Sequence, residues 1–314
     1  MADIAGPSVG TERRSLTFGL VAGEPALIGL LACLAAATFT LPHALGRMVD
    51  WGDFLPGVFL CLALMGLGLY ARHRVRALRL AVAAVGAGLF MGFSTLLTVL
   101  IFSLFPLHNP VIDPWLIAVD ARFGYHWASF VIALADYPLL GQALALVYNS
   151  AVPMLLAVVI LLGIMGRVEA LHRMLLVGLV SLIAAVAFWW FFPSIGPSAY
   201  QTVPDDVAQS INLVFSAEAG ALLRHLVEVG PAVINSDTVV GVVALPSYHT
   251  VMMCMVIWYT RQTPAFLLSL VLGLAMLPAI LSHGGHNVVD VLGGLAIFAL
   301  CAFGASRYLP DRTQ

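Results

Sequence analysis

The stretch PAFLLSLVLGLAMLPAILS, residues 264–282, carries no charged side chain. Nineteen residues in α-helix rise about 28 Å, close to the ~30 Å of a bilayer's hydrocarbon core. Before it, Pro246-Ser247-Tyr248-His249 opens one apolar run; after it, His286-Asn287-Val288-Val289-Asp290 opens another. A chain that enters the bilayer after His249 and returns along residues 264–282 comes back to its starting side at His286. Two histidines and a carboxylate, distant in sequence, are thereby set at one depth on one face. Ionisable groups near hydrocarbon are costly and mark function by default.

Working outward, the whole chain reads the same way. It has 61% hydrophobic residues, 10% charged residues and a mean hydropathy of +1.00, beyond the usual range of a soluble domain. Apolar runs at Pro25–Leu45, Leu55–Ala71, Leu80–Phe105, Leu139–Met165, Met174–Phe192, Tyr248–Tyr259, Pro264–Ser282 and His286–Leu309 give eight expected spans. Backbone groups in lipid must bond within their own segment, so the expected fold is all-α, a polytopic membrane helical bundle of about eight transmembrane helices. The expected organisation is a cytoplasmic segment (1–24), a three-helix membrane module (25–105), an amphipathic outer-face segment (106–138) and a membrane core (139–314). No short apolar core with a cleavage signal precedes Pro25, so that run is read as a retained first helix. Pro246 lacks a backbone donor and favours a helix start, which sets the beginning of the sixth span there.

All fourteen basic residues are arginine. Eleven fall on the N-terminal side of the eight-span arrangement and three, Arg47, Arg122 and Arg224, on the other. The positive side stays in the cytoplasm. Both termini are therefore expected inside and the histidines at the outer face of an inner or plasma membrane. Cys33, Cys61, Cys254 and Cys301 lie in apolar runs and read as small hydrophobes. Two stretches between spans, His108–Trp127 and Asp205–Val229, are amphipathic. They fit an interfacial position or a fold back over the outer end. The expected partner is the bilayer; nothing points to nucleic acid, and no protein partner is legible.

His286 and Asp290 are four apart and share one helix face. A carboxylate there can hold one imidazole nitrogen, fix the tautomer and leave the other nitrogen free to act. Helix N-termini at Ser247 and His286 supply unpaired donors and the positive end of the dipole, a setting for a tetrahedral anion such as phosphate. The fifth span ends in Pro193-Ser194-Ile195-Gly196-Pro197-Ser198-Ala199-Tyr200 on the same side, a Gly/Pro turn whose hydroxyls add to the pocket. The expected site is His249, His286 and Asp290, with Ser247, Tyr248, Tyr200 and Arg224 binding substrate. Neither a cofactor nor a metal is expected. His283, His286 and Asp290 form the alternative, a metal site, set back by the Gly284-Gly285 turn between the two histidines. Asp113, Asp120 and Asp136 read as solvated caps, and Tyr148 and Asn149 as helix-packing groups.

Pro246-Ser247-x-His249 and His286-x-x-x-Asp290-x-x-x-Gly294 resemble the second and third motifs of the type 2 phosphatidic acid phosphatase superfamily of membrane lipid phosphatases and phosphotransferases. The resemblance covers about the last 180 residues. It implies a six-helix-type phosphatase core there, with the first three spans as an added module. It also implies a membrane lipid substrate, that His249 is the general acid, that His286 is a nucleophile forming phosphohistidine, and that Asp290 supports it. Several positions depart from the family pattern. The lysine of the first motif has no counterpart in a lysine-free chain. Ala279 and Ile280 replace the Ser-Arg that opens the third motif, and Tyr248 replaces the glycine of the second. These departures and the Gly196-Pro197 turn look closer to the inositol phosphorylceramide synthase branch, which moves a phospho-head-group between lipids. The alternative from another class is a lipid or phosphate transporter using the same pocket without turnover. The absence of paired broken half-helices counts against it.

Overall fold

The computed structural model describes residues 23–308. The expected segment 1–24 and the arginines at 13, 14 and 312 lie almost wholly outside them. Thirteen α-helices make up the described chain: α1 (Glu24–Ala44), α2 (Trp51–Tyr70), α3 (Leu78–Ser103), α4 (Asp113–Arg122), α5 (Trp127–Leu134), α6 (Pro138–Asn149), α7 (Ala151–Ile164), α8 (Val168–Phe191), α9 (Asp205–Ser210), α10 (Ala217–Glu228), α11 (Tyr248–Thr260), α12 (Phe266–His283) and α13 (Val288–Tyr308). No strand occurs among the described residues; Val49 and Ile234 form one isolated parallel bridge. The chain is an all-helical, multi-pass membrane bundle, as its composition requires.

Among the described residues six helices are long and apolar enough to cross a membrane, or seven if the bent pair α5 and α6 counts as one, beside the about eight expected. The run Leu139–Met165 is divided at Ser150 into α6 and α7. The run opened by Pro246 yields the thirteen residues of α11, about 20 Å of helix. Residues 239–245 before it are not helical, so the break falls where Pro246 set it.

Small residues explain how the first module joins the rest. A Cβ on Gly163 of α7 would sit 2.4 Å from the Cα of Ala83, and one on Gly88 of α3 2.9 Å from the carbonyl of Cys61 in α2. Such helices touch backbone to backbone, the way membrane helices associate without a hydrophobic drive. Buried residues make up 61% of the α3 span against 17% for α1 and 22% for α2. Thus α3 packs both against α1 and α2 and against α7 and α8. A bidentate pair, Arg72 to Glu24 at 2.7 and 2.8 Å, fastens the start of α1 to the turn after α2.

The two ends of the bundle differ. At one, the arginine-rich turns gather: Arg79 lies against Gly166, and Arg167 donates to the carbonyl of Gln262 at 3.0 Å. At the other, the two amphipathic stretches fold back onto the bundle as α4 and α9–α10, burying Leu116, Ile211, Leu223 and Leu226. The segment around Ile234 also docks on the α1–α2 turn there. Ile234 N–H donates to Met48, and Ser236 donates twice to Asp53, each at 2.9 Å.

Candidate active site

Three segments meet at that second end: the turn after α8, the start of α11 and the start of α13. Each is brought in by a contact that only glycine permits. Gly196 has φ +87°, and a Cβ on it would lie 2.1 Å from the carbonyl oxygen of Gly285. A Cβ on Gly294 would lie 2.4 Å from the carbonyl of Ser247. Main-chain bonds complete the join, Ala244 N–H to Ser194 at 3.1 Å and Ser247 N–H to Asp290 at 2.9 Å.

His286 is the centre. Its Nδ1 lies 3.2 Å from Asp290 Oδ2, and its Nε2 lies 3.4 Å from Ser247 Oγ. The same Oδ2 accepts from the Asn287 N–H at 2.8 Å, which fixes the carboxylate. The His249 ring is 6.3 Å from that of His286, edge to face. Its other face stacks on Tyr148 at 4.1 Å, with the Tyr148 hydroxyl 3.4 Å from Nδ1. Both histidines are thus held through Nδ1, which leaves Nε2 of each for chemistry. His286, Asp290 and Ser247 are buried, so their electrostatics act with little screening.

The other expected site residues fall differently. The Tyr248 hydroxyl donates to the Gly178 carbonyl of α8 at 2.9 Å, so its ring points between helices and not toward the histidines. Tyr200 ends the short turn at residues 197–199 and is 40% exposed. Burial, then the nearby Asp113 charge, pushes its hydroxyl up to about 12. The Arg224 guanidinium donates to the carbonyl of Ala199, so it braces the motif loop from outside. Arg122 is exposed.

The helix N-termini are also more occupied than their sequences indicate. Val288 N–H, the first of α13, donates to Asp120 at 2.6 Å, beside the Asn287 bond to Asp290. At α11, Ser247 accepts from the Thr250 N–H at 3.4 Å. Protein carboxylates therefore already take part of the α13 dipole expected for an anion. Four buried polar side-chain atoms at the site have no protein partner: Ser198 Oγ, Thr250 Oγ1, Asn287 Nδ2 and Asp290 Oδ1. Buried polar atoms in native proteins are satisfied, so Ser198, Thr250 and Asn287 can donate to an acceptor oxygen, while Asp290 Oδ1 can only accept.

Asp113 and Asp120 are not solvated. Both are buried on one face of α4, seven residues apart. Asp113 accepts from the Ser194 hydroxyl at 2.8 Å and from the Ile195 and Gly196 N–H groups at 3.0 and 2.7 Å. Burial nevertheless pushes its carboxyl up to about 6, against the pull of those donors. Burial also raises Asp120, opposed by Val288. Their signal was the spacing of two acids on an amphipathic helix. Tyr148 was a polar group in an apolar run, and its role as a platform for His249 needs the fold to be seen. Among the described residues no group of three or more His, Cys, Asp or Glu is placed to hold a metal. His283 lies instead against the backbone of Gly141 and Asn212.

A family model for the PAP2 superfamily matches residues 114–304, from the second residue of α4 into α13. That range includes both histidines, Asp290 and the turn at Ser194–Ser198, and leaves out α1, α2 and α3. No curated protein and no solved structure matches the chain. The match covers well over half of the 314 residues, and the chain therefore belongs to the PAP2 superfamily.

Proposed function

We propose that this phosphatase-type membrane phosphoesterase cleaves lipid phosphates or phospho-head-groups through a phosphohistidine at His286. The observation that carries the reading is the orientation of His286, with Nδ1 held by Asp290 and Nε2 turned to Ser247 in a buried pocket. In the first half-reaction the Nε2 lone pair attacks phosphorus. The bond to the lipid oxygen breaks, and a proton from His249 Nε2 goes to the leaving alkoxide. Asp290 offsets the positive charge that grows on the ring. In the second, the hydroxyl of water or of a lipid or polyol attacks phosphorus and gives its proton to His249. The P–N bond breaks, and the electron pair returns to His286. Ser247, Ser198 and Asn287 supply donors to the equatorial oxygens in this reading.

We further propose that the arginine-rich end faces the cytoplasm and the site the outer side, on the positive-inside rule.

The test is incubation of the purified protein with labelled phosphatidic acid, diacylglycerol pyrophosphate and phosphatidylinositol, with and without a lipid alcohol. Acid-labile label on the protein that is lost in His286→Ala supports the reading. Free phosphate then identifies a hydrolase, and product formed only with the alcohol identifies a transferase, as in the inositol phosphorylceramide synthase branch. Binding of these lipids with no turnover of any would favour a transporter.

A further inference from the structure

An apolar cavity of about 210 Å³ lies between α3, α7, α8 and α11. Phe93 and Leu97 of α3, Leu155 of α7, Leu175 of α8, and Tyr248 and Met252 of α11 line it. Two of its three hydroxyls are engaged by backbone: Thr98 donates to the Ser94 carbonyl at 2.9 Å, and Tyr248 to Gly178 at 2.9 Å. A smaller apolar cavity, ~150 Å³, takes up benzene and stays dry. By proportion this one holds a segment on the order of eight carbons.

Two chain segments lead from the catalytic pair into this space. Tyr148 stacks on His249, and Val152, four residues on, lines the cavity. On α11, Tyr248 and Met252 of the lining flank His249 by one and three residues. On α11 the three residues from His249 to Met252 rise about 4.5 Å, and on the other path the chain passes from α6 into α7 at Ser150. A phosphate at His286 and an apolar chain in the cavity can then belong to one molecule.

We propose that this cavity receives the first part of the hydrocarbon tail of the phosphate-bearing lipid, and that α3 sets which tails fit. This rests on the proposed lipid phosphoesterase activity. Helix α3 lies outside residues 114–304, so the wall that selects the tail is supplied by the N-terminal module and not by the catalytic core. The module is a specificity element.

The experiment compares kcat/KM for dioctanoyl phosphatidic acid with that for glycerol 3-phosphate, which has the phosphate and no tail. Leu97→Trp should lower that ratio at least tenfold by filling the cavity. Phe93→Ala should raise turnover of a methyl-branched acyl substrate relative to the linear one. Phe59→Trp, on the exposed face of α2, should change neither. An unchanged ratio in a Leu97→Trp protein that elutes from detergent like the parent overturns the proposal. If the parent turns over none of these phosphates, the activity reading fails. Phosphatidic acid with a diazirine in its acyl chain then decides the cavity separately. Crosslinks to α3 peptides around residues 90–101 support it, and labelling confined to α1 and α2 overturns it.

Discussion

Gly196→Ala separates backbone strain from loop contact at the site. At φ +87° and ψ 162° a residue with a Cβ costs of order 1–3 kcal/mol. The new methyl must also escape the Gly285 carbonyl, 2.1 Å from its ideal position. Real Cβ contacts stay beyond 3.0 Å, so one loop must move by about 1 Å. That carbonyl belongs to the residue before His286. A misplacement of ~1 Å in a catalytic group can lower rate by about 10²-fold. Gly124→Ala is the comparison for a positive φ without a contact: its φ is +80°, but nothing lies within 4 Å of an added Cβ. Both variants should lose a few degrees of melting temperature in detergent, measured by intrinsic fluorescence. Only Gly196→Ala should lose about two orders of magnitude in phosphate release from phosphatidic acid. Equal activity in the two variants would refute the claim that the Gly196–Gly285 approach positions His286.

Asp290→Asn keeps an oxygen for the Asn287 N–H but loses the charge beside His286, so kcat should fall by roughly 10²–10⁴ while the melting temperature holds. Asp113 is raised by burial from 3.8 to about 6, so its neutral form is the one the fold favours. The stability it gives is complete below pH ~4 and is lost as pH rises through about 6, roughly 3 kcal/mol for two units. A melting-temperature profile from pH 4.5 to 7.5 should show that decline in the parent and a flatter curve in Asp113→Asn; parallel curves would remove Asp113 as its source. Arg224→Gln should reduce turnover about tenfold by freeing the Ala199 carbonyl, with Arg122→Gln at the parent rate in the same assay. For sidedness, Ser194 and Asn287 are too buried to label, whereas Val229 and Val75 are 62% and 58% exposed at opposite ends. With native cysteines removed, Val229→Cys should react with an impermeant thiol reagent in intact cells and Val75→Cys only in inverted vesicles; the reverse pattern would invert the membrane orientation.

The membrane class and the meeting of His249, Ser247, His286 and Asp290 were legible because both depend on local periodicity and on an even number of crossings. The i,i+4 spacing of His286 and Asp290 is a property of one helix turn, and Pro246 marked the start of α11 correctly. What escaped depends on third parties. Tyr248 looked like a site residue because of its neighbours in sequence, but a helix turns each successive residue by about 100°, and this one reaches Gly178 of α8. Arg224 was chosen for its charge, yet its partner is a carbonyl of a turn whose path no local pattern reveals. The division of Leu139–Met165 coincides with the polar trio Tyr148-Asn149-Ser150, which reads equally as helix-packing groups inside one continuous span. The α13 N-terminus, read as an open anion site, is partly filled by Asp120 from a helix almost 170 residues earlier in the chain.

Helix α4 holds the turn at Ser194–Gly196 through Asp113 and the start of α13 through Asp120. The two loops therefore share one rigid coordinate. A tilt of α4 as a body carries both in step and keeps their spacing, whereas a change at either carboxylate alone lets one slip against the other. The tolerance of the site to drift should thus be anisotropic. Core substitutions that shift α4 whole, such as at Leu116, will be absorbed, whereas losing either carboxylate upsets the parity between the helix's two arms.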